Sequence, residues 1–218
     1  MIFNSIEFII FFITVFILYW FVFNKSLKHQ NFLILSSSYF FYAWWDYRFL
    51  SLIIITTLVD YFVGININKS ISQKRKKFLF LFSIVFNLSL LGFFKYFNFF
   101  IDSWIDLFLY LGYEIKSIST LEIILPVGIS FYTFQTMSYT IDIYRGRLEP
   151  TKDFISFASF ISFFPQLVAG PIERASNLLP QILKTRKFDF DQSLSGLRLV
   201  IWGLFKKIVI ADWDFWRN

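Results

Sequence analysis

Leu125-Pro126-Val127-Gly128-Ile129-Ser130-Phe131-Tyr132-Thr133-Phe134-Gln135 opens the stretch on which the fold turns, and Phe163-Phe164-Pro165-Gln166-Leu167-Val168-Ala169-Gly170-Pro171-Ile172 closes it. Between them lies Ser138-Tyr139-Thr140-Ile141-Asp142-Ile143-Tyr144-Arg145-Gly146. Helix breakers, polar side chains and aromatics gather here inside an otherwise lipid-like chain, and four of the five prolines fall between Pro126 and Pro171. Non-helical backbone at membrane depth survives only where protein or a water-filled cavity surrounds it, because lipid cannot satisfy free N–H and C=O groups. The stretch is therefore read as the wall of an intramembrane cavity. Its candidate lining residues are Pro126, Gly128, Ser130, Tyr132, Gln135, Asp142, Pro165, Gln166, Gly170 and Pro171.

The rest of the chain supports that setting. Of 218 residues, 56% are hydrophobic and 23% aromatic, with 33 Phe, while only 17% are charged. That balance excludes an ordinary soluble domain and predicts an all-α, multi-pass transmembrane bundle, read as a single membrane domain over 1–218. Without cysteine there is no disulfide, thiolate nucleophile or Cys metal site, and one histidine leaves no metal-ligand set. The net charge of +6 is carried in short segments between apolar runs, which is how membrane orientation is encoded and not how nucleic acid is bound. Met1 to Phe23 lacks a basic leader and a small-x-small cleavage site, so it is expected to stay as the first span.

Further spans are predicted over Ile6–Phe23, Phe32–Trp45, Phe49–Ile65, Phe78–Ile101 and Leu121–Tyr144. Asp102–Tyr113 has the spacing of an amphipathic helix lying along the interface. Phe154–Val168, interrupted by Pro165 and followed by Ala169-Gly170-Pro171, reads as a re-entrant element, and Leu194–Ile210 as an amphipathic or partly inserted helix. A polar loop over Asn66–Lys77 carries Lys69, Lys74, Arg75, Lys76 and Lys77 without an acidic residue, which marks the cytoplasmic face. Lys25, Lys28 and His29 fall on the same face if successive spans alternate, so the N-terminus is expected outside.

Asp60, Lys95 and Asp142 are the charges at membrane depth. Such residues mark a pathway or pair with one another, and an Asp60–Lys95 pair between helices is one reading; for Asp142 an interfacial pair with Arg145 is another. The hydroxyls and amides of Ser130, Tyr132, Gln135 and Gln166 could line a channel or serve as interhelical bonds. His29 lies in a basic loop, where a solvated histidine is expected and not a base.

Six motifs in order resemble the membrane-bound O-acyltransferase family, in its alginate O-acetyltransferase-like branch. They are Tyr42-Ala43-Trp44-Trp45, Gly92-Phe93-Phe94-Lys95-Tyr96-Phe97-Asn98-Phe99, the three blocks quoted above, and Gly203-Leu204-Phe205-Lys206-Lys207-Ile208-Val209-Ile210-Ala211-Asp212. The resemblance implies transfer of an acyl group, usually acetyl, from a thioester or equivalent donor on the cytoplasmic side. The acceptor would be a hydroxyl of an extracytoplasmic polymer such as alginate, cellulose or peptidoglycan. It further implies a cell-membrane location, a periplasmic acyltransferase partner and no bound cofactor. The family's histidine lies in an Asp-Phe-Trp-Arg-Arg-Trp-His context; Asp214-Phe215-Trp216-Arg217 is similar to its first four residues and Asn218 stands next. No catalytic residue is therefore assigned. The chain is expected to be an N-terminal portion of such an enzyme, inactive alone. A non-catalytic membrane scaffold is the alternative, and a transporter is a further one, which would require repeated halves that the hydropathy does not show.

Overall fold

The computed structural model describes residues 3–112, 124–167 and 170–211. All regular structure among them is helical. α1 (Ile6–Ile17) is capped by the Ser5 side chain, which accepts from the Phe8 amide at 3.3 Å, and its last turn loosens over Leu18–Val22. α2 (Leu27–Asp46) and α3 (Leu50–Lys69) are joined by a tight corner in which Asp46 accepts from the Arg48 guanidinium at 2.6 Å. α4 spans Gln73–Tyr110 without a break. α5 (Ile129–Tyr144), α6 (Phe154–Ile161), α7 (Phe164–Leu167), α8 (Ala175–Leu183) and α9 (Phe190–Phe205, continuing to Ala211) complete the chain. The continuous stretches Leu27–Lys69 and Gln73–Tyr110 are long and apolar enough to cross a bilayer.

The bundle is built around α5. It packs against α3, α4 and α8, and α6 fills the space between α2, α3 and α8. Lipid tails are as apolar as leucine, so close packing and polar contacts must hold such helices together. Both are present. Gly64 on α3 admits the Tyr139 ring so closely that a Cβ there would stand 2.7 Å from Cε1. Tyr139 in turn stacks on Phe157 of α6 with ring centroids 4.4 Å apart. Ile53, Phe160, Ile161, Leu167 and Leu179 fill the rest of this centre. The periphery is different: α1 and α9 bury no residue fully, and the isoleucines of α1 and most apolar side chains of α9 face outward, as lipid-facing helices do, while Phe8 and Phe11 of α1 pack on Phe41 and Phe164.

Three expectations need correction. No separate interfacial helix starts at Asp102: nothing between Ile101 and Asp102 can end a helix, so α4 runs on to Tyr110 and its turn at Gly112, beyond which residue 113 lies outside the described part. The basic loop expected over 66–77 shrinks to Ser70–Ser72, because α3 reaches Lys69 and α4 begins at Gln73; the cations sit on helix ends. The helix expected from Leu121 starts at Ile129, after Pro126 and the left-handed Gly128 (φ 74°), and residues 121–123 are outside the described part. In the stretch read as re-entrant, α6 and α7 break at Ser162 and Phe163 and are each too short to cross, and its residues 168–169 lie outside the described part. α8 was unforeseen and holds Pro180 inside it.

Candidate functional site: a polar corner at the start of α5

The N-terminal end of α5 is fixed by its own backbone. Gly128 takes a conformation open to residues without a side chain, and a Cβ there would collide with the carbonyl oxygen of Leu167. The end of α7 therefore rests directly on Gly128. α7 is held at its own start by Ser38 of α2, whose hydroxyl accepts from the Phe164 amide at 3.2 Å. Tyr42, also on α2, donates to the carbonyl of Val127 at 3.0 Å. The three elements thus converge on one corner.

That corner is polar and incompletely bonded. The Tyr132 phenol faces that of Tyr42, yet its oxygen is buried without a hydrogen-bond partner of good geometry. Gln166 Oε1 is in the same condition. Buried polar atoms are nearly always paired, and each orphan carries a desolvation cost of about 1–3 kcal/mol. Gln135 by contrast donates to the Phe160 carbonyl at 2.8 Å and ties α5 to α6. Ser138 accepts from the Ala175 amide at 3.3 Å and so caps the first turn of α8.

The structure brings together Pro126, Gly128, Tyr132, Gln135, Pro165 and Gln166 around the α5–α7 junction. It does not bring in Gly170 and Pro171, which are exposed. Asp142 lies ten residues beyond Tyr132, roughly 15 Å along α5. Its carboxylate is buried with Oδ2 unpartnered, and no ion pair with Arg145 forms. Ser130 is half-buried and accepts a long bond, 3.4 Å, from the ammonium of Lys95, which is itself exposed and lies against the Tyr96 ring. His29 is exposed beside Phe23, away from the corner.

Asp60 does not pair with Lys95. Its carboxyl is wholly buried and meets Ser83 at 2.5 Å and Asn87 at 2.8 Å, both from α4. Thr136 and Thr140 of α5 complete this layer through Asn87 Oδ1 and Ser83 Oγ, each at 3.2 Å. A second network, also unforeseen, links α2, α6 and α8 with the segment after α8. Asn31 donates to Ser156 at 2.8 Å and to the Ile182 carbonyl at 3.1 Å, and accepts from the Arg186 guanidinium. The sequence carried one usable sign of the Asp60 layer: Thr133, Thr136 and Thr140 recur at helical spacing, as do Ser83 and Asn87.

The fold defines a polytopic all-α membrane protein with a polar interior corner. Over 97% of its length the chain is similar to probable alginate O-acetylases of Azotobacter vinelandii (36% identical over 214 residues) and Pseudomonas aeruginosa (37% over 214), and to a peptidoglycan O-acetyltransferase of Helicobacter pylori (33% over 241). The likeness to the alginate branch of the O-acyltransferases therefore extends over nearly the whole chain. The chain spans 42, 40 and 45% of the length of those three curated relatives. No protein-family model matches it, and no solved structure does.

Proposed function

We propose that this chain forms part of a membrane O-acyltransferase that moves an acetyl-type group onto hydroxyls of an extracytoplasmic polysaccharide. The observation that carries the reading is the similarity, over nearly all of the chain, to proteins whose names state O-acetylation of alginate and peptidoglycan. The amide oxygen of Gln166, buried without a partner, and the Tyr132 hydroxyl, set against the Tyr42 phenol without good geometry, support the α5–α7 corner as part of the route, because a polar ligand entering there would satisfy them.

In the reaction an acceptor hydroxyl loses its proton to a base and attacks the thioester carbonyl, the thiolate leaves, and donors hold the intermediate oxyanion. A buried phenol such as Tyr132 is suited to the last task. A base is not found at the corner among the described residues, since His29 is exposed on another surface. The chain alone is therefore proposed to be inactive, and to work with the remainder of an acyltransferase domain and a periplasmic partner. The basic helix ends at Lys69 and Lys74 to Lys77 support a cytoplasmic placement of that side and an external N-terminus in the cell membrane.

The test is an assay of ester-linked acetyl on exopolysaccharide and cell-wall fractions of an acetylation-deficient host. It compares this chain alone with the chain in frame with its downstream coding region. Acetylation with the longer form only is the expected result. Acetylation by the short form refutes the claim of inactivity, and none by either form favours a scaffold.

A further inference from the structure

We propose that the groove between α1 and α9 binds an anionic phospholipid of the cytoplasmic leaflet, with one acyl chain in the groove and the phosphate at Arg186. The site lies outside the acyl-transfer corner and rests on that reading only for the side to which the basic segments are assigned. The groove holds about 510 Å³, within the roughly 300–1,000 Å³ common for ligand sites. Phe12 and Phe16 of α1 form one wall, and Phe190, Leu197 and Val200 of α9 form the other. The Ser193 hydroxyl, which also borders it, is turned to the Asp189 carbonyl at 2.7 Å. From Phe190 to Val200 the wall runs ten residues, roughly 15 Å, half of the roughly 30 Å of hydrocarbon in a bilayer. That is the depth of one leaflet, and so the reach of one lipid chain.

Charge gathers at one end of this groove. Phe188 borders it there and packs on Phe16, Trp20 and Phe21 at the last turns of α1. Tyr19 and Trp20 are of the kind that settle at a membrane–water interface. Arg186, two residues before Phe188, is held by the same turn: its guanidinium lies over the Tyr19 ring at 5.3 Å and donates to Asn31 of α2. Gln30 donates to the Tyr19 carbonyl at 3.2 Å and fixes that turn in place. Arg186 is half-buried, its Nε has no partner, and no carboxylate pairs with it among the described residues.

Lys184 and Lys187 flank Arg186 in the chain, and Lys25 and Lys28 stand at the α1–α2 corner, all exposed. The acids nearby are otherwise engaged or outnumbered. Asp189 accepts from the Gln192 amide at 2.9 Å, Asp153 accepts from Ser156 and from the Ile155 amide, and Asp191 is exposed on the first turn of α9. A guanidinium fork matches phosphate oxygens, and basic pockets between spans at the cytoplasmic surface hold anionic headgroups. A protein helix laid in the groove would cover its apolar walls equally well but would leave the fixed cation unanswered. A phospholipid answers both.

Native mass spectrometry of the full chain, released from detergent with dioleoylphosphatidylglycerol or dioleoylphosphatidylcholine, provides the test. One phosphatidylglycerol per chain is expected to survive activation that strips phosphatidylcholine. Arg186→Gln should weaken that retention roughly tenfold, as the loss of one charge-assisted contact does. Gly196→Leu places a side chain in the groove, where a Cβ now meets nothing within 4 Å, and should weaken retention with the charge intact. Lys76→Gln, at the start of α4, should leave it unchanged. Equal retention of the two lipids overturns the proposal, as does a Lys76→Gln effect as large as that of Arg186→Gln, or none from Gly196→Leu. A longer in-frame form that retains no lipid shows the groove covered by protein and overturns it too. Should Arg186→Gln fail to fold, the two lipids and Gly196→Leu decide.

Discussion

Two polar regions lie on the same helix and could not be more differently finished. The Asp60 layer touches the middle and end of α5 through Thr136 and Thr140, and its bonds close on one another. The corner at Tyr132, at the start of α5, leaves the phenol without a partner of good geometry and the Gln166 amide oxygen without any. A polar group in a membrane bundle holds helices together when its bonds are complete, and is open to a ligand or water when they are not. The middle of α5 is thus tied to α3 and α4, while its start holds a buried phenol and a nearby amide oxygen that its neighbours do not satisfy.

The sharpest way to break this contrast is at Gly128, where α5 begins. Gly128→Val combines a left-handed backbone with a side chain driven into the Leu167 carbonyl, so a loss of roughly 3 kcal/mol or more is expected, seen as a large drop in melting temperature. Removing a donor from the closed layer comes next. Asn87→Leu leaves Asp60 Oδ2 bare and should cost about 1–3 kcal/mol in thermal or denaturant unfolding. The open corner should respond differently. Tyr132→Phe deletes an oxygen whose contact with the Tyr42 phenol lacks good geometry, so melting is expected to hold. Acetyl transfer by the longer in-frame form should fall roughly fivefold to tenfold, the value of one neutral hydrogen bond of about 1 kcal/mol. If Tyr132→Phe instead destabilises as Asn87→Leu does, the contrast between the two regions fails. The smallest effect belongs to the lipid-facing rim: at Gly196 on α9 a Cβ meets nothing within 4 Å, so Gly196→Ala should stabilise by roughly 0.5–1 kcal/mol through helix propensity alone.

The breaks in the chain were readable because they are written in single residues. Pro126, Gly128 and Pro165 announce where helices cannot continue, and α5, α6 and α7 begin or end beside them. α8 escaped notice because Pro180 stands inside it, and because its capping partner, Ser138, comes from another helix. Asp60 was visible as an intramembrane acid, but charge alone suggested Lys95 as its partner. The choice was made by register: Ser83 and Asn87 occupy the face of α4 that meets α3, and Lys95 comes too late along the helix to reach. Orphaned oxygens are likewise beyond a one-dimensional reading, since a missing partner is a property of the packed molecule.

α4 carries a last consequence. At 38 residues it is roughly 57 Å long, nearly twice the roughly 30 Å of hydrocarbon in a bilayer. Ser83 and Asn87 grip it only two to four turns from its basic start, leaving the far portion to Tyr110 largely unclasped. Anchored near one leaflet, the rod can meet thicker or thinner membranes by leaning at its loose end, so mismatch strain is discharged there and the acid-centred joint is spared.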